Sequence, residues 1–172
     1  MNKYDIAIAI MLVQENDPIY EQIALELGIS QSTAHAGVAR LRRAGLLLPG
    51  RKKRVDLLAL LEFLEHGLRY VFPAFPGATR LGIPTAHSGP VLAALIDAGD
   101  ESYVWPSREG TVRGFAIEPL LPSMDRIARD SPAMYAALSL VDALRVGSAR
   151  ERELASRELR SRFKVDSAMS VL

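Results

Sequence analysis

The chain has 172 residues, of which 49% are hydrophobic and 24% charged, so it can bury the core of one domain or of two small ones. It has no cysteine and three histidines, which excludes disulfides, thiolate catalysis and cysteine-based metal sites. Its formal net charge of +1 by itself argues against a nucleic-acid partner.

The positive charge is nevertheless concentrated in one short segment. Residues 1–39 and 55–142 are net acidic, whereas residues 40–54 contain no acidic side chain. A third of all the basic side chains lies in this segment, and we interpret it as a local electrostatic footprint on an acidic body. Its basic residues are Arg40, Arg42, Arg43, Arg51, Lys52, Lys53 and Arg54.

Nothing in the sequence predicts a membrane segment or an export signal. The longest apolar runs have about eight residues, whereas a membrane-spanning helix needs about 20. The N-terminal apolar stretch is not followed by a small-residue cleavage site. We therefore expect a cytoplasmic protein that does not contact a membrane.

Three helices are predicted before residue 45. Asp5–Val13 indicates a helix with little polar surface. Asp17 is placed to cap a second helix, which Gly28 ends. Ser30 is placed to cap a third, Gln31–Ala44, whose outward face is short and polar at its start and cationic at its end. Such a face can approach base edges while its arginines hold phosphates.

The second and third predicted helices carry a recurrent motif. It consists of Leu-Gly-Ile-Ser at 27–30 and Val-x-x-Leu-x-x-x-Gly-Leu-Leu at 38–47. Residues 4–56 thereby resemble the helix-turn-helix of bacterial winged-helix transcription regulators, especially the MarR-like group. The resemblance implies that Gln31–Arg43 is a recognition helix and that Leu46–Val55 is the wing, shortened to a small hairpin around Pro49-Gly50.

These observations predict an interface for double-stranded DNA. Residues at the start of the recognition helix would meet base edges, where Gln31 can read adenine, and the basic residues would hold the backbone. The predicted residues are Ser30, Gln31, Ser32, Thr33, His35, Arg40, Arg42, Arg43, Arg51, Lys52, Lys53 and Arg54. One such helix reads few base pairs, so we expect a homodimer. The alternatives are a solubilising surface or a protein-binding helix-turn-helix.

Residues 57–69 are predicted to form a connecting helix between this domain (1–56) and an α+β effector or interaction domain (70–172). The helix is apolar on nearly every side, which indicates a dimer contact, a joint between domains or an internal core helix. Helices are also predicted over 124–129, from 132 to about 146, and over 150–163.

A repeat at an offset of 33 residues predicts the sheet. Tyr-Val-Phe-Pro at 70–73 returns as Tyr-Val-Trp-Pro at 103–106, each followed by a glycine and an arginine. We expect two hairpins that pair into a small antiparallel sheet, with a short helix, Val91–Ala98, between them. The fold class is therefore α+β and helix-rich. Candidate partner or ligand residues are Phe72, Arg80, Trp105 and Arg113; alternatively, these aromatics are core residues and these arginines surface residues.

Three functions follow from these patterns. The first is a dimeric DNA-binding repressor. The second comes from the two aromatic segments and the stretch at 140–154, which resemble winged-helix partners of AbiE-type nucleotidyltransferase toxins and imply an antitoxin that binds a cognate toxin. The third is a ligand-sensing repressor with a pocket between the aromatics. Because known catalytic motifs are missing, we expect no enzyme activity, no catalytic residue, no cofactor and no metal site.

Overall fold

The computed structural model describes residues 1–97, 99 and 101–165. Its α-helices are α1 (Lys3–Gln14), α2 (Tyr20–Leu27), α3 (Gln31–Arg43), α4 (Leu57–Glu62), α5 (Leu68–Val71), α6 (Met124–Asp130), α7 (Pro132–Val146) and α8 (Ala149–Arg162). A π-helical turn, Phe63–Gly67, joins α4 to α5. The strands are β1 (Thr79–Pro84), β2 (Tyr103–Pro106) and β3 (Val112–Ala116). The predicted α+β, helix-rich class is confirmed.

Helix α1 is buried along most of its length because it has almost no polar surface. Every residue from Ile6 to Leu12 is buried, and the helix contacts α2, α3 and α7. A capping box starts it: the Asn2 side chain accepts the Tyr4 N–H at 3.1 Å, and the Asp5 carboxylate accepts the Asn2 N–H at 2.7 Å.

The turn between α2 and α3 forms as predicted. Gly28 takes the left-handed conformation at φ 65°, which ends α2, and the Ser30 hydroxyl accepts the Thr33 N–H at 3.1 Å. The predicted cap at Asp17 is wrong, because α2 begins only after Ile19. The Asp17 carboxylate instead forms an ion pair with Lys53 at 2.6 Å.

The chain after α3 makes a minimal hairpin, as predicted. Leu47 and Val55 form an antiparallel bridge. The Leu48 N–H donates to the Arg54 carbonyl at 2.8 Å, and the Asp56 N–H donates to the Leu46 carbonyl at 3.0 Å. We call residues 46–56 the basic hairpin, since Arg51–Arg54 lie in it.

The connecting helix belongs to the core. Leu60, Leu61, Leu64 and Leu68 are buried in an apolar cluster that also holds residues of α1 and α7, whereas Leu58 is exposed. Buried residues from all three predicted segments thus lie in one cluster. Within the described ranges, none of the helices has the length and apolar character needed to cross a membrane.

The sheet differs from the two predicted hairpins. Tyr70 and Val71 end α5 rather than forming a strand, and the Phe72 N–H continues the helical pattern by donating to the Leu68 carbonyl at 2.8 Å. Strand β1 is antiparallel to both β2 and β3, but β2 and β3 pair in parallel, so the three strands close on one another. The closure depends on Gly82, where a Cβ would lie 2.2 Å from the Trp105 carbonyl oxygen.

The short helix predicted over 91–98 is also wrong. The described part of that segment makes only a 3₁₀ turn, Leu92–Ala94, and Ala98 lies outside the described residues. Residues 166–172 of the third predicted segment lie outside them as well.

A buried carboxylate joins the sheet to α7. The Asp142 side chain accepts hydrogen bonds from the Thr85 hydroxyl at 2.8 Å and from the Trp105 indole N–H at 2.5 Å, and it pairs with the Arg145 guanidinium at 2.7 Å. Arg145 also donates to the carbonyls of Phe72 and Glu118. Burial raises the pKa of the Asp142 carboxyl, while the Arg145 charge and the three hydrogen bonds oppose that rise.

We expect Asp142→Ala to destabilise the protein by about 3–5 kcal/mol, because it leaves the Arg145 guanidinium buried without its counter-charge. Thr85→Val removes only one neutral donor and should cost about 1 kcal/mol. Urea unfolding of the full chain measures both values. Equal costs for the two substitutions would show that the buried charge pair is not the centre of the network.

Helix α8 is pinned to the π-helical turn through Glu65. The Arg160 guanidinium donates to both carboxylate oxygens at 2.8 and 2.7 Å, and the Ser156 hydroxyl donates to one of them. Burial acts to raise the pKa of Glu65, but the hydrogen bonds from Arg160 and Ser156 outweigh it, so the pKa lies below its ordinary value of 4.5.

This lowered pKa predicts an acid-dependent loss of stability. The stabilisation from Glu65 is fully present above pH 4.5 and is lost as the pH falls through its lower pKa in the folded protein. The stability difference between wild type and Glu65→Gln should therefore shrink below pH 4.5. Thermal unfolding from pH 7 to pH 3 measures it, with the exposed neighbour Glu62→Gln as control. A constant difference would refute the assignment.

Candidate nucleic-acid interface

The outward face of α3 is the one that the sequence predicts. Ala34, Val38 and Leu41 are buried against the core, and Gly37 lies with them. Ser32, His35, Ala39 and Arg43 are exposed on the opposite side. Helix α3 packs its inner face on α1 and α2, while exposed residues run along its outer face from Ser32 to Arg43, where His35 also contacts Tyr20 of α2.

The first turn of α3 divides into capping and free residues. The hydroxyls of Ser32 and Thr33 each share a 2.8 Å hydrogen bond with the Ser30 hydroxyl. Ser30 and Thr33 are therefore engaged in starting the helix, although both were predicted to contact DNA. Gln31 is exposed, and its amide makes no hydrogen bond to the described part of the chain.

Arg40, which the sequence predicts to contact a phosphate, is paired within the fold. Its guanidinium donates to both oxygens of Asp5, at 2.8 and 2.7 Å. The Asp5 side chain is fully buried and that of Arg40 is 32% exposed. The hydrogen bonds with Asp5 raise the pKa of Arg40. This planar pair fixes the rotation of α3 on α1.

Lys53 is likewise engaged. Its ammonium pairs with Asp17 at 2.6 Å, its backbone N–H donates to the same carboxylate at 3.0 Å, and its side chain is only 12% exposed. The ammonium also lies 5.2 Å from the ring centroid of Tyr20. The hydrogen bonds from Lys53 lower the pKa of Asp17. Lys53, which the sequence predicts to contact a phosphate, thus anchors the basic hairpin to the start of α2.

Arg42 links α3 to the basic hairpin. Its guanidinium donates to the carbonyl of Gly50 and, at 3.5 Å, to that of Lys52. The side chain remains exposed, so it sets the position of the hairpin turn while its charge stays at the surface.

Four of the predicted cations remain free to meet a ligand. Each is exposed, and none of their side chains makes a hydrogen bond or an ion pair within the described ranges. They are Arg43, Arg51, Lys52 and Arg54. Three lie in the basic hairpin, which Arg42 links to α3, and one lies at the C-terminal end of α3.

A groove that the sequence does not reveal lies beside these cations. It has a volume of about 390 Å³ and lies between the start of α2 and the outward face of α3. The rings of Tyr20 and His35 pack at a centroid distance of 4.9 Å in it, and Ala39 and Arg43 also line it. Tyr20 was not predicted, because its neighbours come from two other elements and no periodicity marks them.

The four other candidate residues do not form a site together. Trp105 is 1% exposed and bonded to Asp142 in a solid core, and Phe72 is half-buried. Arg80 and Arg113 are exposed, but the β1–β3 register pairs Arg113 with Leu81, so strand alternation directs the two arginines to opposite faces. The pocket predicted between the aromatics is therefore filled.

Comparison of the chain with models of known protein families, with curated proteins and with solved structures finds no match. The function is therefore inferred from the geometry of α2, α3 and the basic hairpin. That geometry joins an open helix face to a group of unpaired cations.

Substitution of two arginines of α3 should change the free energy of unfolding by very different amounts. Arg40→Ala leaves the buried Asp5 carboxylate without its partner and should cost at least about 2 kcal/mol. Arg43→Ala removes an exposed, unpaired charge and should change stability by less than about 0.5 kcal/mol. Chemical denaturation measures both. If Arg40→Ala were as stable as Arg43→Ala, the Asp5 pair would not position α3.

Proposed function

We propose that the protein is a sequence-specific DNA-binding regulator in which residues 1–56 form a winged helix-turn-helix of the MarR-like kind. The observation that carries this proposal is the placement of four unpaired cations beside the open face of α3. A helix with exposed polar residues at its start and cations at its end fits the major groove between two phosphate backbones. The basic hairpin corresponds to a short wing.

The contacts divide between two groups of residues. Gln31, Ser32 and His35 face the base edges, where a glutamine amide can make two hydrogen bonds to adenine. Arg43 and the hairpin cations Arg51, Lys52 and Arg54 hold the phosphates. Arg40, Arg42 and Lys53 contribute indirectly, since they fix α3 and the hairpin in the geometry that the duplex requires.

A protein with one such helix gains specificity by binding as a homodimer to two half-sites. We propose that it represses transcription by occupying its operator, and that it does so in the cytoplasm. The ligand-sensing alternative loses its predicted pocket, because the indole of Trp105 is packed in the core.

A second function, binding of a partner protein, is favoured by one surface. Tyr70, Val71 and Phe75 are 75%, 50% and 79% exposed, close together in the chain after the connecting helix. Exposed apolar groups of this kind are typical of protein interfaces. This surface supports the antitoxin role, in which the same protein neutralises a cognate toxin and regulates its own operon.

The salt dependence of DNA binding tests the main proposal. Lys52→Ala removes one phosphate contact, so the slope of log K against log salt should become shallower by about 1, and affinity should fall on every sequence. Arg113→Ala removes the same charge from an exposed position on β3 and should leave the slope unchanged. Fluorescence anisotropy with a labelled random-sequence duplex measures both.

Gln31→Ala completes this experiment. It should keep the wild-type salt slope but change the sequences that the protein selects from random DNA, because it removes a base contact and no charge. A slope that is unchanged by Lys52→Ala, or selection of the same sequences by wild type and Gln31→Ala, would contradict the proposed docking.

A further inference from the structure

The arginines of α3 are unavailable for reading guanine along most of the helix. Paired hydrogen bonds from arginine to guanine are the commonest specific contact in the major groove. The Arg40 guanidinium donates both of its hydrogen bonds to Asp5, and Arg42 donates to the hairpin carbonyls. Arg43 lies at the very end of the helix. Beyond Gln31, the middle of the outward face must therefore distinguish bases in another way.

The groove between α2 and α3 offers the middle of the outward face a means of distinguishing bases without an arginine. Its walls are mostly apolar, formed by the rings of Tyr20 and His35, which pack at an angle of 52°, and by the methyl group of Ala39. Among the described residues no carboxylate lines it, whereas Arg42 and Arg43 do, so a polyanion can approach it. The groove therefore suits an apolar group carried on a negatively charged molecule.

The walls of the groove are held in place by the residues that do not contact DNA. The Lys53 ammonium lies over the Tyr20 ring, and Asp17 fixes Lys53. The Tyr20 ring in turn packs on His35 of α3. The groove therefore keeps its shape before any ligand arrives, which lowers the entropic cost of binding.

We propose that this groove receives thymine methyl groups, so that the protein selects A·T pairs at the positions that face Tyr20, His35 and Ala39. The thymine C5-methyl is the apolar group that base edges present in the major groove, and alanine is among the side chains that contact it. This inference rests on the proposed function, since it requires α3 to lie in the major groove.

The test removes the methyl group without changing the sequence. Duplexes selected by the protein from random DNA are amplified once with dTTP and once with dUTP, and the full chain is titrated against both pools. Each thymine methyl lost from the groove should weaken binding about three- to fivefold, the effect of one buried methylene-sized group. The ratio of affinities for the two pools is the measured quantity.

A variant locates the effect. Ala39→Gly removes the methyl that lines the groove and should bring the affinity ratio towards one, with folding checked by circular dichroism. Arg113→Ala changes an exposed position on β3, outside the groove and the proposed contacts, and should keep the wild-type ratio. If Ala39→Gly fails to fold, His35→Ala takes its place, because it removes an exposed ring from the same groove and should likewise bring the ratio towards one.

The outcomes separate the inference from the proposed function. Equal binding of the two pools by wild type overturns the thymine-methyl inference and leaves DNA binding intact. An unchanged ratio in folded Ala39→Gly also overturns it, because the methyl would then be read elsewhere. If no duplex binds at all, the proposed function itself is wrong, and the inference fails with it.

Discussion

The buried ion pair between Asp142 and Arg145 is the constraint on which the arrangement of the chain depends. Two charges placed in the core are stable only if their remaining hydrogen-bonding positions are filled, and here the groups that fill them come from four separate segments. The pair therefore fixes the closed sheet and the end of the connecting helix to α7. Because α1 also packs on α7, the helix that supports α3 rests on the same element.

Helices α6 and α1 both pack on α7, and they connect it to α2 and α3. The last carbonyls of α2 have no partners within the helix. Helix α6 supplies them: the Ser123 hydroxyl donates to the Leu27 carbonyl at 2.6 Å, and Arg126 donates to the carbonyls of Leu25 and Glu26. The Asp5–Arg40 pair holds α3 in the same way from the other side. The outward face of α3 is thus fixed to the second half of the chain through α6 and α1.

Local sequence signals predict local structure well and long-range partners poorly. Gly28, Ser30 and the apolar spacing of α3 predicted the turn, the cap and the buried face, because each depends on residues within four positions. The repeat at 70–73 failed as a strand predictor because the preceding helix continues through Tyr70 and Val71. Arg40 and Lys53 look like their free neighbours in sequence. Their partners, Asp5 and Asp17, are chosen by packing between helices, which no periodicity records.

The net charge of +1 does not show which cations are paired within the fold and which are unpaired. Cations paired within the fold contribute little field at a distance, whereas unpaired ones act on any ligand within a Debye length of about 8 Å at physiological salt. Arg40 and Lys53 are neutralised by their carboxylates, so the potential of the segment comes from the exposed Arg43, Arg51, Lys52 and Arg54, with Arg42 beside them. A polyanion is therefore drawn to the end of α3 and to the hairpin turn. The groove beside Tyr20 is lined by Arg42 and Arg43, so the charge that attracts a polyanion and the apolar groove lie on the same surface.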